Sequence, residues 1–427
     1  MAKTNQVPEL SSFYRMPFEK GTFKLTQETL NLHSEFRKPE RYYHVKIRNV
    51  NFRNEILTLG VKIKEEPEQL IYIKVTRYEL LVCCNIDTDA TYLSRYAYFG
   101  LITLMDYSSS ANFEDYYWPD FFDSQTGKSP FLKIYNDRSG LDIELKTKYP
   151  HFYKPGDQLF DWFEVVTVPR REISDPDPLT IKSSNGAALG YFLADHRLSS
   201  IHSNHFSFLV PFVGIPTKDR QKIKSFISFL FDKKEVTTSN CAPTPTQLEL
   251  NEISFKMREL APVGPSYWRD PFRPDREEKE NGNQLLELWH KAKQLLLSQP
   301  YVYYYQTYGL NYLNGKPRRS WIKPYQIQKE RPQLVLKRID KGKYYQLELK
   351  FRVNRKTLIP EKDPICFFVN SCSDPEKLYL LDQFTDFQLI LFFSHFNYKI
   401  AVLKPHYQDE FKSFMEYLAK QYLIIEV

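Results

Sequence analysis

Apolar and polar residues alternate most cleanly in the last third of the chain. Tyr345, Leu347, Leu349, Phe351 and Val353 recur every second position, with Gln346, Glu348, Lys350 and Arg352 between them. Side chains of a strand point alternately to its two faces, so this period predicts a strand with one buried and one wet face. Asp340-Lys341-Gly342-Lys343 is a turn from a preceding strand over Leu334 to Ile339. Beyond it the pattern predicts strands at Cys366–Val369 and Leu378–Leu381, a helix over Asp386–His395 and a strand over Lys399–Leu403. A helix over His406–Gln421, with Phe411, Phe414, Met415 and Leu418 inward, and a closing strand over Leu423–Val427 complete this part.

Residues 41–82 read as strands: Tyr43 to Val50 alternates, and Ile71, Ile73 and Val75 share one face of a strand continuing to Val82. A helical segment follows over Thr91–Met105. Thr217 can cap a helix whose apolar set is Ile223, Phe226, Ile227, Leu230 and Phe231. Leu285, Leu288, Trp289, Ala292 and Leu296 fall at helical spacing and end before Pro300. Between these lie a turn-rich aromatic stretch (106–160), a loop at Asp175-Pro176-Asp177-Pro178, a Pro-containing linker over Val236–Gln247 and a loop over Pro262–Asn283. The expected architecture is α+β and multi-domain, with antiparallel sheets and packed helices. Domains are expected at 1–160, 161–245 and 246–427, consistent with roughly 100–200 residues per domain.

Composition changes this picture little. The chain has 427 residues, 42% hydrophobic and 16% aromatic, which excludes extensive disorder. No run approaches the roughly 20 apolar residues of a membrane span. Met1 to Lys20 has no apolar stretch of a signal peptide. The five cysteines (Cys83, Cys84, Cys241, Cys366 and Cys372) are an odd number without framework spacing, as reduced thiols of a cytoplasmic protein would be.

Charge is unevenly placed. Residues 316–356 hold fourteen Lys or Arg against three acidic residues, a net +11, whereas the whole chain carries +7 and the remainder sums to −4. A tyrosine tract from Tyr301 through Tyr308 and Tyr312 leads into this window. Cations neutralise phosphates and flat rings stack on unpaired bases. The candidate nucleic-acid-binding residues are therefore Arg318, Arg319, Lys323, Lys337, Arg338 and Lys343, with Tyr304, Tyr305 and Trp321 as stacking rings. Two ordinary strands with lysines on their wet face would give the same charge, and then the tract tyrosines would be core.

Catalytic chemistry is not legible. Thr126-Gly127-Lys128-Ser129 resembles the end of a phosphate loop, but Phe122 stands where that loop needs a glycine and Pro130 interrupts the following helix. Asp195, His196, His202 and His205 are metal-ligating types in a segment without the helix that would align them; surface histidines are the default, and no metal or other cofactor is expected. Cys83 and Cys84, adjacent in a strand, point to opposite faces and so do not readily share an ion.

Four segments resemble the amino-terminal, pre-motor region of bacterial Swi/Snf-family helicases of the DEAD/DEAH superfamily. They are Leu81-Val82-Cys83-Cys84 with Leu93-Ser94-Arg95-Tyr96-Ala97, similar to a degenerate SWIM zinc finger; Phe208 to Pro216 before residues 219–232; the 284–298 helix with Gln299-Pro300 and the tyrosines; and Arg331-Pro332-Gln333-Leu334 with the hairpin and Phe411–Val427. A SWIM finger holds zinc through Cys-x-Cys and Cys-x-His pairs. Here Ser94 and Tyr96 stand at the second pair, so no zinc is expected. No Walker-type motif or motor occurs within these residues, so the family's ATPase activity does not carry over. The resemblance implies a non-catalytic nucleic-acid-binding accessory protein, acting with a separately encoded helicase or nuclease. The other reading is a scaffold subunit whose basic face meets an acidic protein.

Overall fold

The computed structural model describes residues 8–36, 44–87, 89–105, 108–137, 140–159, 186–196, 205–239, 241–264, 275–359, 364–371, 377–408 and 410–427. His202, Cys372 and the 175–178 loop lie outside them. The fold is α+β. Two compact units form: residues 1–157 with 401–410, and residues 158–400 with 411–427. The chain thus passes back into the first unit near its end. The expected division at 245/246 is crossed by a sheet, because the strand Ala188–His196 pairs with the strand Val302–Thr307.

In the first unit, five antiparallel strands run in the order Tyr14–Pro17, Glu79–Cys84, Gln69–Val75, Ile56–Ile63 and Val45–Arg53. The strand expected to continue to Val82 instead reverses at Thr76–Glu79, where Thr76 N donates to the Glu79 carbonyl. Asn54 and Glu55 both adopt positive φ, the backbone of a tight hairpin matched to strand twist. The helix Arg95–Met105 buries Tyr98, Leu101, Ile102 and Met105 over Leu59, Val61, Ile71 and Ile73. Gly100 permits that approach: a Cβ there would stand 2.8 Å from Ile71 Cδ1. The other sheet face buries Phe13, Ile56, Tyr72, Leu81 and Cys83. Cys84 faces the helix side and Cys83 the reverse, as neighbours in a strand must.

The second unit is built on a mixed five-stranded sheet in the order Ile223–Phe229, Phe208–Pro216, Ala188–His196, Val302–Thr307 and Ile322–Pro324. The pairing of Ala188–His196 with Val302–Thr307 is parallel, the others antiparallel. The helix expected after Thr217 is thus a strand. Its register slips twice against Phe208–Pro216, so the inward residues Ile223, Phe226 and Phe229 recur every third position. Each bulge inserts one unpaired residue and stretches the strand period of two toward the helical spacing. The linker expected over Val236–Gln247 instead holds the end of the helix Lys233–Thr238 and the start of the helix Pro245–Leu260. The latter opens with a capping box in which Thr244 and Gln247 bond each other's backbone amides, with Pro245 at the first position.

The helix Arg276–Leu296 buries Leu285, Trp289, Ala292 and Leu296, and Trp289 Nε1 donates to the Ser207 carbonyl at 2.9 Å. The alternating hairpin appears as Gln333–Asp340 and Tyr344–Val353, with Leu423–Glu426 parallel to the first strand. Glu348, on the expected wet face, is buried and held below its usual carboxylate range by Lys350 at 2.9 Å and Lys399 at 3.6 Å, against the cost of burial.

The helix Phe384–His395 is capped by Asp386, whose carboxylate accepts from Gln383 N at 3.1 Å and from the Tyr422 hydroxyl at 2.9 Å. Burial pushes the Asp386 carboxyl up to about 6 from 3.8. In the folded chain it stays protonated where the unfolded chain has ionised, so its stabilisation is present below about pH 4 and lost through about pH 6. That difference corresponds to roughly 3 kcal/mol. Urea titrations across that range should show stability falling more steeply with pH in the wild type than in Asp386→Asn. Parallel pH profiles would refute this assignment.

Candidate nucleic-acid interface

Both faces of the strand Val302–Thr307 are covered, so its alternation buries tyrosines on each side. Tyr304 is 1% and Tyr305 0% exposed. The Tyr304 hydroxyl donates to Asp195 Oδ2 at 2.7 Å, and Ser207 Oγ donates to Asp195 Oδ1 at 2.7 Å. The Tyr305 ring sits 5.1 Å from Phe192 and 5.3 Å from Phe229, and its hydroxyl accepts from Arg318 N at 3.3 Å. Neither ring is available to a base, which corrects the expectation that Tyr304 and Tyr305 are stacking platforms. Their burial follows from their position in an interior strand flanked by Ala188–His196 and Ile322–Pro324.

Beyond Thr307 the alternation ends and the aromatics change role. Gly309 (φ 150°) and Gly315 (φ 59°) turn the chain, and a short helical turn at Arg319–Trp321 returns it to the edge strand Ile322–Pro324. That path gathers three half-buried rings: Trp321 lies 5.0 Å from Tyr308 and 6.0 Å from Tyr312, and Tyr308 lies 5.8 Å from Tyr312. The Arg318 guanidinium sits 4.5 Å from the Trp321 ring centre, a cation–π contact. Lys316, Arg318, Arg319 and Lys323, in the same segment as Trp321, are exposed. Tyr308 and Tyr312, like Tyr303, are thus half-buried tract aromatics, and the flanking glycines were the sequence signal of the first two.

Lys337, Arg338 and Lys343 belong to a different sheet, the Gln333–Asp340/Tyr344–Val353 hairpin. Arg338 bonds Glu426 Oε1 at 2.7 Å and lies 5.3 Å from the Tyr345 ring centre; Lys343 is exposed at the turn. The structure therefore brings Arg318, Arg319, Trp321 and Lys323 together on one edge and leaves the other three cations on a second element.

The remaining candidates have local roles. Thr126 N donates to Asp123 Oδ1 at 2.8 Å and Gly127 N to the Asp123 carbonyl at 2.8 Å, so these amides close a turn on Asp123. Ser94 Oγ accepts from Ala97 N at 3.2 Å at the start of its helix, and the Tyr96 hydroxyl donates to Glu66 at 2.6 Å. Burial raises the thiols of Cys83 and Cys84 above their ordinary range. His196 and His205 are buried rather than on a surface loop, with ring centres 5.5 Å apart. His205 Nδ1 donates to the Phe206 carbonyl at 2.8 Å, and burial lowers its pKa to about 4. Among the described residues no three His, Cys, Asp or Glu side chains converge to hold a metal ion, and no helix is long and apolar enough to cross a membrane. Comparison with family models, curated proteins and solved structures finds no match to this chain.

Proposed function

We propose that this chain is a non-catalytic nucleic-acid-binding accessory protein. As the resemblance to the pre-motor region of Swi/Snf-family helicases implies, it works beside a separately encoded helicase or nuclease. The observation that carries the nucleic-acid reading is the edge where Arg318 overlies Trp321 beside Tyr308 and Tyr312, with Lys316, Arg319 and Lys323 exposed in the same segment. Cations of that edge neutralise phosphates, and its rings offer π-faces that unpaired bases of any identity can use, so single strands of DNA or RNA are the preferred ligands.

Fluorescence anisotropy with labelled single-stranded and duplex DNA and RNA, at two salt concentrations, tests this reading. Affinity should fall by about 0.7–0.9 log units per log unit of salt for each phosphate neutralised. Replacing Arg318 and Arg319 together by alanine should weaken binding to all sequences alike and flatten the slope by about 1.5, because phosphate contacts carry no base information. Salt-independent affinity, or a slope unchanged in the double variant, would refute the assignment.

A second reading, a scaffold subunit meeting an acidic protein, is favoured by Arg338, which is already engaged with Glu426 and Tyr345 rather than presented to phosphate. It requires that no nucleic acid of either strandedness binds.

A further inference from the structure

Beside the aromatic edge the second unit opens a groove of about 620 Å³. Its size is that of small-molecule sites, roughly 300–1,000 Å³. Arg319, Ile322 and Pro324 supply one wall, so the turn that carries Trp321 also borders the groove; Tyr303 and Tyr325 line it from the tract strand and the segment after the edge strand. The Tyr303 ring is braced edge-on by Phe226 at 5.7 Å, and its hydroxyl accepts from Ile223 N at 3.1 Å.

The polar lining is selective. None of the lining residues is acidic, and four are glutamines: Gln221, Gln299, Gln326 and Gln328. Gln299 and Gln328 are engaged by Gln247 and by the Gln326 carbonyl. Gln221 and Gln326 are exposed, and their side-chain amides make no hydrogen bond with a described residue. Two cations border the groove: Lys222, whose charge is shared with the neighbouring Asp219, and Arg319, which makes no ion pair with a described residue.

The geometry points to this groove as the seat of one nucleotide unit, its base between the amides and the half-buried Tyr303 ring and its phosphate on Arg319 and Lys222. Each carboxamide carries both donors and an acceptor, which suits the mixed edge of a nucleobase. The half-buried Tyr303 ring and the exposed Pro324 offer flat surfaces that suit the base's face. An acidic peptide would need cations in excess of amides, whereas four amides stand here beside two cations. The inference rests on the nucleic-acid reading for its natural source, a base turned out of a single strand lying along Arg318 and Trp321.

Gln326→Trp fills the groove from an exposed position, and Arg319→Ala removes its phosphate partner; circular dichroism would confirm that both variants fold. The probes are a labelled single-stranded oligonucleotide, a free nucleoside monophosphate and poly-glutamate, each titrated against the whole chain. Gln326→Trp should weaken the oligonucleotide by about tenfold, the loss of one stacked base, and should abolish saturable binding of the monophosphate. Binding of the monophosphate that is lost in Gln326→Trp supports the groove even where the chain binds no strand, so the groove and the aromatic edge fail separately. Oligonucleotide binding that Gln326→Trp leaves unchanged, no binding of the monophosphate, or poly-glutamate as the sole ligand displaced by Gln326→Trp would overturn it.

Discussion

Tyr304→Ala should destabilise the second unit by about 3–5 kcal/mol, the cost typical of deleting a large aromatic side chain from a packed core. The ring is 1% exposed and lies 5.0 Å from Tyr325, and its hydroxyl, like Ser207 Oγ, donates to the buried carboxylate of Asp195. Two losses combine in this variant: a cavity where the ring stood, and a carboxylate short of one hydrogen bond. Tyr304→Phe separates them. It keeps the ring and removes the donor, so about 1–3 kcal/mol should be lost. Urea unfolding measures both variants. Neither should change the preference for single over double strands, because Tyr304 does not reach the surface. A Tyr304→Phe variant as stable as the wild type but impaired specifically in single-strand binding would restore the tyrosine to the interface.

Trp321→Ala should behave in the opposite way. Its ring is half-buried among Tyr305, Tyr308, Tyr312 and the Arg318 guanidinium, so removal should cost about 1–2 kcal/mol of stability, less than Tyr304→Ala. Single-strand affinity should fall by about 1–3 kcal/mol, as for the loss of one stacking platform. Duplex affinity should be nearly spared, since paired bases present no free face to the ring. Anisotropy titrations on matched single and double strands read the difference directly. Equal loss on both would mean that Trp321 only positions Arg318 for phosphate.

The pair of tyrosine and tryptophan variants separates two roles that look alike in the sequence. Tyr304, Tyr305, Tyr308 and Tyr312 are neighbours in one aromatic tract that leads into the basic window. Their fates part at Thr307, where the strand ends.

Local pattern by itself determined the α+β class, the hairpin Gln333–Asp340/Tyr344–Val353, the amphipathic helices around Trp289 and Phe414, and the concentration of cations in residues 316–356. The elements follow from periods of two and about 3.6 and the charge from composition, both properties of the chain itself. The helix Pro245–Leu260 was also legible in its capping box, Thr244-Pro245-Thr246-Gln247, beneath a proline-rich composition that suggests a linker. Tertiary structure decided the rest. Two bulges gave the strand Ile223–Phe229 the inward spacing of a helix, and bulges depend on the partner strand. Glu348 is buried, and one of the lysines beside it, Lys399 at 3.6 Å, is distant in sequence. Burial of Tyr304 and Tyr305 required a strand from residues 188–196 on one side and the edge strand 322–324 on the other. Tyr308, Tyr312 and Trp321, beyond the end of that strand, stay half-buried beside Arg318, because which face of an aromatic meets water is set by the neighbours that cover it, not by its place in the chain.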